Sequence, residues 1–374
     1  MPESPALVVF YGGTGDSPAE RTVDAARLAA ALDLAEASSL RGSGLSLTGE
    51  GSGQERIILV TDQPDLAVDL PGVEVDFSAE PFHFGQRLTD IVRRRQLDSV
   101  IYAGAGSVPL FAADDFREVV ARLARGVIVT NNSFSSDLIA FPANERVLAV
   151  VERVGRDNAL ARAFNEADLP VDELPRTVAS QMDIDSPSDL LVLALTGDGG
   201  PRLRKHVAGL APDTAAYERT LPLFADRASQ IVVAGRVGSH SWAYLERQTA
   251  CRVRLFAEER GMEAGGRADA GAARSLLGFF LESVGLERFF ETLSELGDAA
   301  FIDTRVLLGH KRIAASREDR FLSDLGDADA ISEPFLRDFT RSALAAPLPV
   351  LLGGHSLMSG GLMALNEHAW ALTE

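Results

Sequence analysis

One cysteine, Cys251, and two lysines, Lys205 and Lys311, stand in a chain of 374 residues. A lone thiol excludes an intramolecular disulfide framework and any cysteine-based zinc or iron–sulfur site, and it is expected to pack as a small hydrophobe. The first 200 residues contain no lysine, and 34 of the 36 basic side chains are arginine. No lysine in that half can therefore hold a phosphate or form a Schiff base. Positive charge is scarce overall: 54 acidic side chains leave a net charge of −18. A field of that sign repels duplex or single-stranded nucleic acid unless a basic stripe overrides it, and only Arg93, Arg94 and Arg95 approach one. Nucleic acid is accordingly not an expected partner. A membrane-spanning run is also lacking. The apolar stretch from Leu348 to Leu365 is broken by Gly353, Gly354, Gly360 and Gly361, with His355, Ser356 and Ser359 between them. It reads as a buried strand, turn and helix, so no membrane association is expected. Met1 to Pro5 carries no basic region and Leu7 to Phe10 is too short an apolar run for a signal peptide, which makes a cytoplasmic location the expectation.

What is present is ordinary globular composition, 46% apolar and 24% charged, in a length that suits two domains. The first two hundred residues alternate short apolar runs with helical patterns, the signature of βαβ units on a mostly parallel sheet flanked by helices. Strands are expected at Ala6 to Tyr11, Arg56 to Thr61, Ser99 to Ala103, Val127 to Thr130, Leu138 to Phe141 and Arg146 to Val151. Helices are expected at Ala19 to Glu36, Gly85 to Arg95, Asp114 to Arg125 and Asn158 to Ala167, with a Gly/Ser/Thr-rich connection from Ser38 to Gly53. Ser186-Pro187-Ser188-Asp189 opens a further helix as N-cap, first-turn proline and capping-box carboxylate. The glycine-rich segment Thr196 to Pro201 divides a first domain, 1–198, from a second, 199–374. The second is expected to be an α/β or helical domain, with strands at Gln230 to Ala234 and Arg252 to Ala257 and long helices at Ala272 to Leu296 and Glu333 to Ala345.

Three features of the first half point to chemistry. Gly12, Gly13 and Gly15 follow the first strand, where glycine lets backbone N–H groups approach a phosphate, although a plain strand-to-helix turn needs the same residues. Ser107 lies in Ala103-Gly104-Ala105-Gly106-Ser107, small residues that leave room at the end of a central strand. Asp183 and Asp185, two residues apart before a helix, are hard oxygen ligands suited to Mg²⁺ bridging nucleotide phosphates; the bland alternative is that one of them caps the helix.

In this order the features resemble the nucleotidyltransferase-like GT-A fold, in the branch of the molybdenum cofactor and phospholactate guanylyltransferases. Residues 155–191 carry most of the likeness. There Ala161-Arg162-Ala163-Phe164 precedes Asp168-Leu169-Pro170-Val171, and Met182-Asp183-Ile184-Asp185-Ser186-Pro187-Ser188-Asp189-Leu190 is similar to that branch's Asp-Ile-Asp-Thr-Pro-Glu-Asp-Leu ending. Gly85-Gln86-Arg87-Leu88 and Ser99 to Phe111 are similar to its helix and following strand and turn. The resemblance spans residues 6–195 and implies a GT-A/Rossmann-like sheet, Mg²⁺ as cofactor, Asp183 and Asp185 as metal ligands and catalytic residues, and nucleotide contacts from Gly12, Gly13, Gly15 and Ser107. Two departures stand out. The family's opening turn carries a basic residue where this chain reads Gly-Gly-Thr-Gly-Asp16, and its metal-binding aspartate falls at Ser107. Either other groups substitute for them, for example Arg21, Asp62 and Asp185, or the domain keeps the fold and has lost the usual reaction.

The second half adds Gly235-Arg236-Val237-Gly238-Ser239-His240, another strand-turn-helix suited to an anion, then Asp303-Thr304-Arg305, and Gly353-Gly354-His355-Ser356. Arg236, His240, Arg305, His355 and Ser356 are the expected acceptor-binding residues. Neither serine–histidine pair fits the G-x-S-x-G elbow of a hydrolase. The leading expectation is Mg²⁺-dependent nucleotidyl transfer from a nucleotide to a small anionic metabolite, with self-association left open. The alternatives are a non-catalytic binding or scaffold protein and a GT-A glycosyltransferase using a nucleotide sugar.

Overall fold

The computed structural model describes residues 4–13, 15–40, 56–66, 68, 70–78, 82–263 and 265–373. From residue 41 on, the expected Gly/Ser/Thr-rich connection lies outside them. The chain forms two compact units: Met1–Thr14 with Arg27–Gln181 and Gly199–Leu203, and Gly15–Ala26 with Met182–Asp198 and Arg204–Glu374.

The first unit holds a seven-stranded sheet made of β1 (Ala6–Tyr11), β2 (Ile57–Thr61), β3 (Val73–Phe77), β4 (Ser99–Gly104), β5 (Ile128–Thr130), β6 (Leu138–Pro142) and β7 (Val171–Glu173). The strand order is β3-β2-β1-β4-β6-β5-β7, with β6 antiparallel to β4 and β5 and the other pairings parallel. β1 and β2 are mostly apolar and almost fully buried because helices cover both sheet faces, as central parallel strands require. One face carries Val8, Ile58, Val100 and Tyr102 against Phe84, Leu88 and Ile91 of the helix Phe84–Arg95. The other carries Leu7, Val9, Leu59 and Ile101 against Leu34, Phe116 and Val119. Burying each such large side chain contributes about 1.5–3 kcal/mol. The arginine run that ends the helix is paired with the protein's own carboxylates: Arg93 with Glu145 at 3.0 Å, Arg94 with Asp90 at 2.8 Å, and Arg95 with Asp76 at 3.1 Å.

Residues 146–151, expected as a strand, are instead part of the helix Glu145–Val151. The β-branched composition suggested extension, but Asn144 caps the first turn by accepting the Val147 N–H at 3.1 Å, and Val147, Leu148 and Val151 bury one helical face.

The second unit is α/β. Its four strands, β8 (Gln230–Gly235), β9 (Arg252–Ala257), β10 (Ala299–Asp303) and β11 (Val350–Gly353), are all parallel and ordered β11-β10-β8-β9. Leu277, Leu281, Phe289, Phe290 and Phe339 pack on Val232, Ala234, Ala300 and Ile302 of the sheet. The long helix expected from Ala272 begins at Leu276 and is broken at Gly285, whose φ of 78° and ψ of 172° are non-helical. Both tryptophans, Trp242 and Trp370, lie in this unit. Among the described residues no helix is long and apolar enough to cross a membrane.

Gly235 ends β8 at φ +144°, where a Cβ would stand 2.2 Å from the Cβ of Asp303. Gly235→Ala is expected to cost about 2–4 kcal/mol through backbone strain and overpacking. Gly209→Ala, in a helix with open space around the added methyl, is expected to raise stability by about 0.5–1 kcal/mol. Urea unfolding of the two variants checks both signs.

Candidate functional site

Within the first unit, β1 pairs in parallel with β2 on one side and β4 on the other. The chain runs outward to β2 and β3 and then returns to β4, so the strand order reverses between β1 and β4. Ligand crevices of open α/β sheets lie at the carboxyl ends of strands at such a reversal. A cavity of about 430 Å³ opens there, lined by Gly12, Gly13, Asp62, Tyr102 and Asp157 with Arg27 and Arg156. Phe10, Phe82 and Phe84 supply an aromatic wall with Tyr102: ring centroids are 5.3 Å apart for Phe10 and Tyr102 and 5.9 Å for Phe10 and Phe82. Phe82 is half-exposed, a flat apolar surface at the entrance. Tyr102 is buried and donates to Asp157 Oδ2 at 2.8 Å; burial, then the Asp157 charge, push its phenol well above the ordinary range.

The glycine turn is stabilised by carboxylates. The Gly13 N–H donates to Asp62 Oδ2 at 3.0 Å, and a Cβ at Gly12 would come within 3.1 Å of Asp62 Oδ1. The Gly15 N–H, in the second unit, donates to Asp24 Oδ2 at 2.8 Å. The donors expected to face a phosphate therefore face aspartates in this structure. Ser107 is 4% exposed, and its hydroxyl lies 2.7 Å from Gly104 O and 3.0 Å from Asp137 O. It braces the turn after β4, and Gly104 lines the cavity instead.

In the second unit the order reverses between β8 and β10, and charged side chains gather at the strand ends. Asp303, the last residue of β10, accepts Arg236 Nε at 2.6 Å, Arg236 Nη2 at 3.2 Å and the Arg305 N–H at 3.1 Å. Burial opposes the charge on Asp303, yet Arg236 holds its carboxyl below the usual range. Arg305 grips both oxygens of Asp324 and donates to Gly353 O at 3.0 Å. His355 Nδ1 lies 3.1 Å from Arg236 O, so Nδ1 carries the proton and donates. Burial and then the Arg236 charge push its imidazole below the ordinary value, leaving a neutral ring at pH 7 with Nε2 as acceptor.

The expected Asp183, Asp185, Arg236, Arg305, His355 and Ser356 all belong to this unit. The Ser356 hydroxyl donates to Asp183 O at 2.7 Å, and the Asp183 carboxylate accepts its neighbour's N–H from Ile184 at 3.0 Å. The Asp185 side chain is exposed, within electrostatic reach of His355. Arg236 and Arg305 are committed to Asp303 and Asp324, and His240 is the half-buried second residue of the helix Ser239–Gln248. Among the described residues no group of three or more histidine, cysteine or acidic side chains is arranged to hold a metal ion.

Sequence reasoning gave Asp189 only a capping role, which it fills by accepting the Ser186 N–H at 2.8 Å and the Asp185 N–H at 2.9 Å. It is also fully buried, and among the described residues its Oδ1 has no hydrogen-bond partner, as is true of the buried Tyr217 hydroxyl. Burial and then Asp185 push its carboxyl up to about 8. Asp157, Phe82 and Arg156 were not singled out in the sequence; Gly155 to Asn158 sit between helices with no strand nearby to mark them.

No protein-family model matches the chain, and no curated protein matches it. Among solved structures it is similar to Rv0371c from Mycobacterium tuberculosis H37Rv, at 15% identity over 46% of this chain and 88% of that one, with a TM-score of 0.33. A structure of Rv0371c from that organism in complex with manganese gives 16% identity, 50% and 96% coverage, and a TM-score of 0.33.

Because the Asp189 carboxyl rises from 3.8 to about 8 on folding, the folded chain keeps a proton that the unfolded chain releases. That contribution to stability is complete below pH 3.8 and is lost as pH rises through 8. Asp189→Asn keeps the acceptor oxygen for the cap and removes the titration. Urea unfolding from pH 5 to 9 should show a flatter pH dependence for the variant and a stability gain over wild type at the alkaline end.

Proposed function

We propose that the first unit binds a nucleotide, or the nucleotide part of a nucleotide sugar, and that the chain is a diverged nucleotidyltransferase-like protein acting on a small anionic metabolite. The observation that carries this reading is the 430 Å³ cavity at the strand-order reversal, with aromatic rings on one side and Arg27 and Arg156 among its walls. Aromatic faces suit a base, and arginines suit phosphates. The cavity has the size of a small-molecule site.

A divalent ion fits this reading only in one form. Mg²⁺ is held through one or two carboxylates, with waters and substrate phosphates completing its octahedron. Asp62 and Asp157 line the cavity, and Asp183 and Asp185 are the carboxylates implied by the family resemblance. When bound, the ion would offset phosphate charge that no lysine in this half neutralises. Asp62 orients the glycine turn through the Gly13 N–H, and Asp157 fixes the Tyr102 hydroxyl.

A second reading, a binding or scaffold protein without transfer chemistry, is favoured by the Gly13 and Gly15 N–H groups donating to Asp62 and Asp24. A carboxylate at the turn repels a phosphate that would use the same donors.

Calorimetric titration with each nucleoside triphosphate, with and without Mg²⁺, tests the common part. Saturable binding of at least one is expected. Arg156→Ala and Phe82→Ala should each weaken it about tenfold, by loss of one charge-assisted contact or one stacking face. Asp62→Asn should tighten binding in the absence of Mg²⁺, since it removes a negative charge and keeps an acceptor for Gly13. No binding by any nucleotide or nucleotide sugar overturns the reading. Pyrophosphate release in the presence of candidate acceptors separates transfer from scaffold.

A further inference from the structure

A cavity of about 640 Å³ lies within the second unit, walled on one side by the apolar Met262, Leu308 and Ile313. Three arginines line it, and they are not equivalent. Arg305 is neutralised by Asp324. Arg312 and Arg320 have no ion pair among the described residues; Arg312 Nε donates to Gly271 O at 3.2 Å, and Arg320 Nη1 donates to Ala315 O at 3.1 Å. Both partners are neutral carbonyls, so two cationic charges face one cavity without a bonded counter-charge. Burial, and next the charge of Arg305, push the Arg320 guanidinium below its ordinary value. Burial is the larger cause, and the carboxylates of Asp324 and Glu263 oppose the shift. In a chain of net charge −18, such a spot is where an anion can settle against the overall field.

We propose that this cavity binds a small phosphorylated metabolite, with its phosphate taken by Arg312 and Arg320. A phosphate monoester carries close to two negative charges at neutral pH, matching the two arginines, and guanidinium forks suit its oxygens. The space exceeds what inorganic phosphate fills and suits an organic body. The exposed carboxylates of Glu263 and Asp269 at the rim accept hydrogen bonds from hydroxyl groups on that body. Glu263 lies within electrostatic range of Arg320 without pairing to it. The inference rests on the second unit alone and is independent of the nucleotide reading.

The test is isothermal titration of the full chain, without nucleotide, using glycerol 3-phosphate, inorganic phosphate and glycerol. Glycerol 3-phosphate is expected to bind saturably, more tightly than inorganic phosphate and more weakly as salt is raised, and glycerol is expected not to bind. Arg320→Met and Arg312→Gln should each weaken glycerol 3-phosphate binding about tenfold, the loss of one charge-assisted contact. Arg341→Gln, on a surface ion pair with Asp329, should bind as wild type. Arg312 is exposed, so Arg312→Gln decides the matter if Arg320→Met does not fold. Absence of saturable binding, equal binding by glycerol or by inorganic phosphate, or wild-type affinity in Arg312→Gln overturns the proposal.

Discussion

The carboxylate of Asp303 accepts hydrogen bonds from the backbone and side chain of Arg236 and from the N–H of Arg305, and so ties the end of β8 to the end of β10 and to the first turn of the helix Thr304–Lys311. Its side chain is 0% exposed and that of Arg236 14%. Removing two charges from water costs several kcal/mol per ion unless nearly every lone pair is filled, and here both carboxylate oxygens are filled. The arrangement demands a residue without a Cβ at Gly235, because the aspartate occupies that space. Arg305 repeats the device one strand further out, joining the end of β10 to Asp324 on the helix Arg317–Leu325 and to Gly353 at the end of β11. The ends of β8 and β10 are thus joined by an ion pair, and the end of β11 is held by a hydrogen bond from Arg305. His355 keeps its orientation through the Arg236 carbonyl, and burial first and then the Arg236 charge depress its basicity.

The first unit solves a related problem with the same kind of acceptor. A glycine turn exposes N–H donors that need acceptors, and in a chain rich in carboxylates and poor in cations the acceptor at Gly13 is Asp62. The turn keeps the geometry of an anion cradle while its occupant is the protein's own anion. For the anion proposed for the adjacent cavity, Arg27 and Arg156 are the lining cations, and the turn alone would not supply the counter-charge.

Much of the architecture was legible because it is local. The apolar runs of β1, β2, β4 and β8 announce buried parallel strands, and Ser186-Pro187-Ser188-Asp189 opens a helix as the capping pattern requires. β3 was missed because Val73–Phe77 alternates valine with acidic residues and is mostly solvent-facing, and the Glu145–Val151 helix because its composition favours a strand. Gly285 was passed over because one glycine within a helical pattern does not distinguish a tolerated residue from a break. The candidate sites were less legible for a different reason. Asp62 meets Gly13 across 49 residues and Asp303 meets Arg236 across 67, and no periodicity encodes such meetings. Position just after a strand was the one usable signal. It led to Arg236, and Asp62, directly after β2, carries it equally.

The placement of Trp242 and Trp370 in the second unit makes indole emission a selective reporter. Trp370 donates its Nε1 hydrogen to Gln248 O at 2.8 Å, and both rings are partly exposed, so their spectra follow the loss of structure around β8 to β11 and are blind to the seven-stranded sheet. Far-ultraviolet circular dichroism, in contrast, weights the helices of both units. If the two transitions coincide, the chain unfolds as one cooperative body; if they separate, each sheet is a thermodynamic unit with its own midpoint.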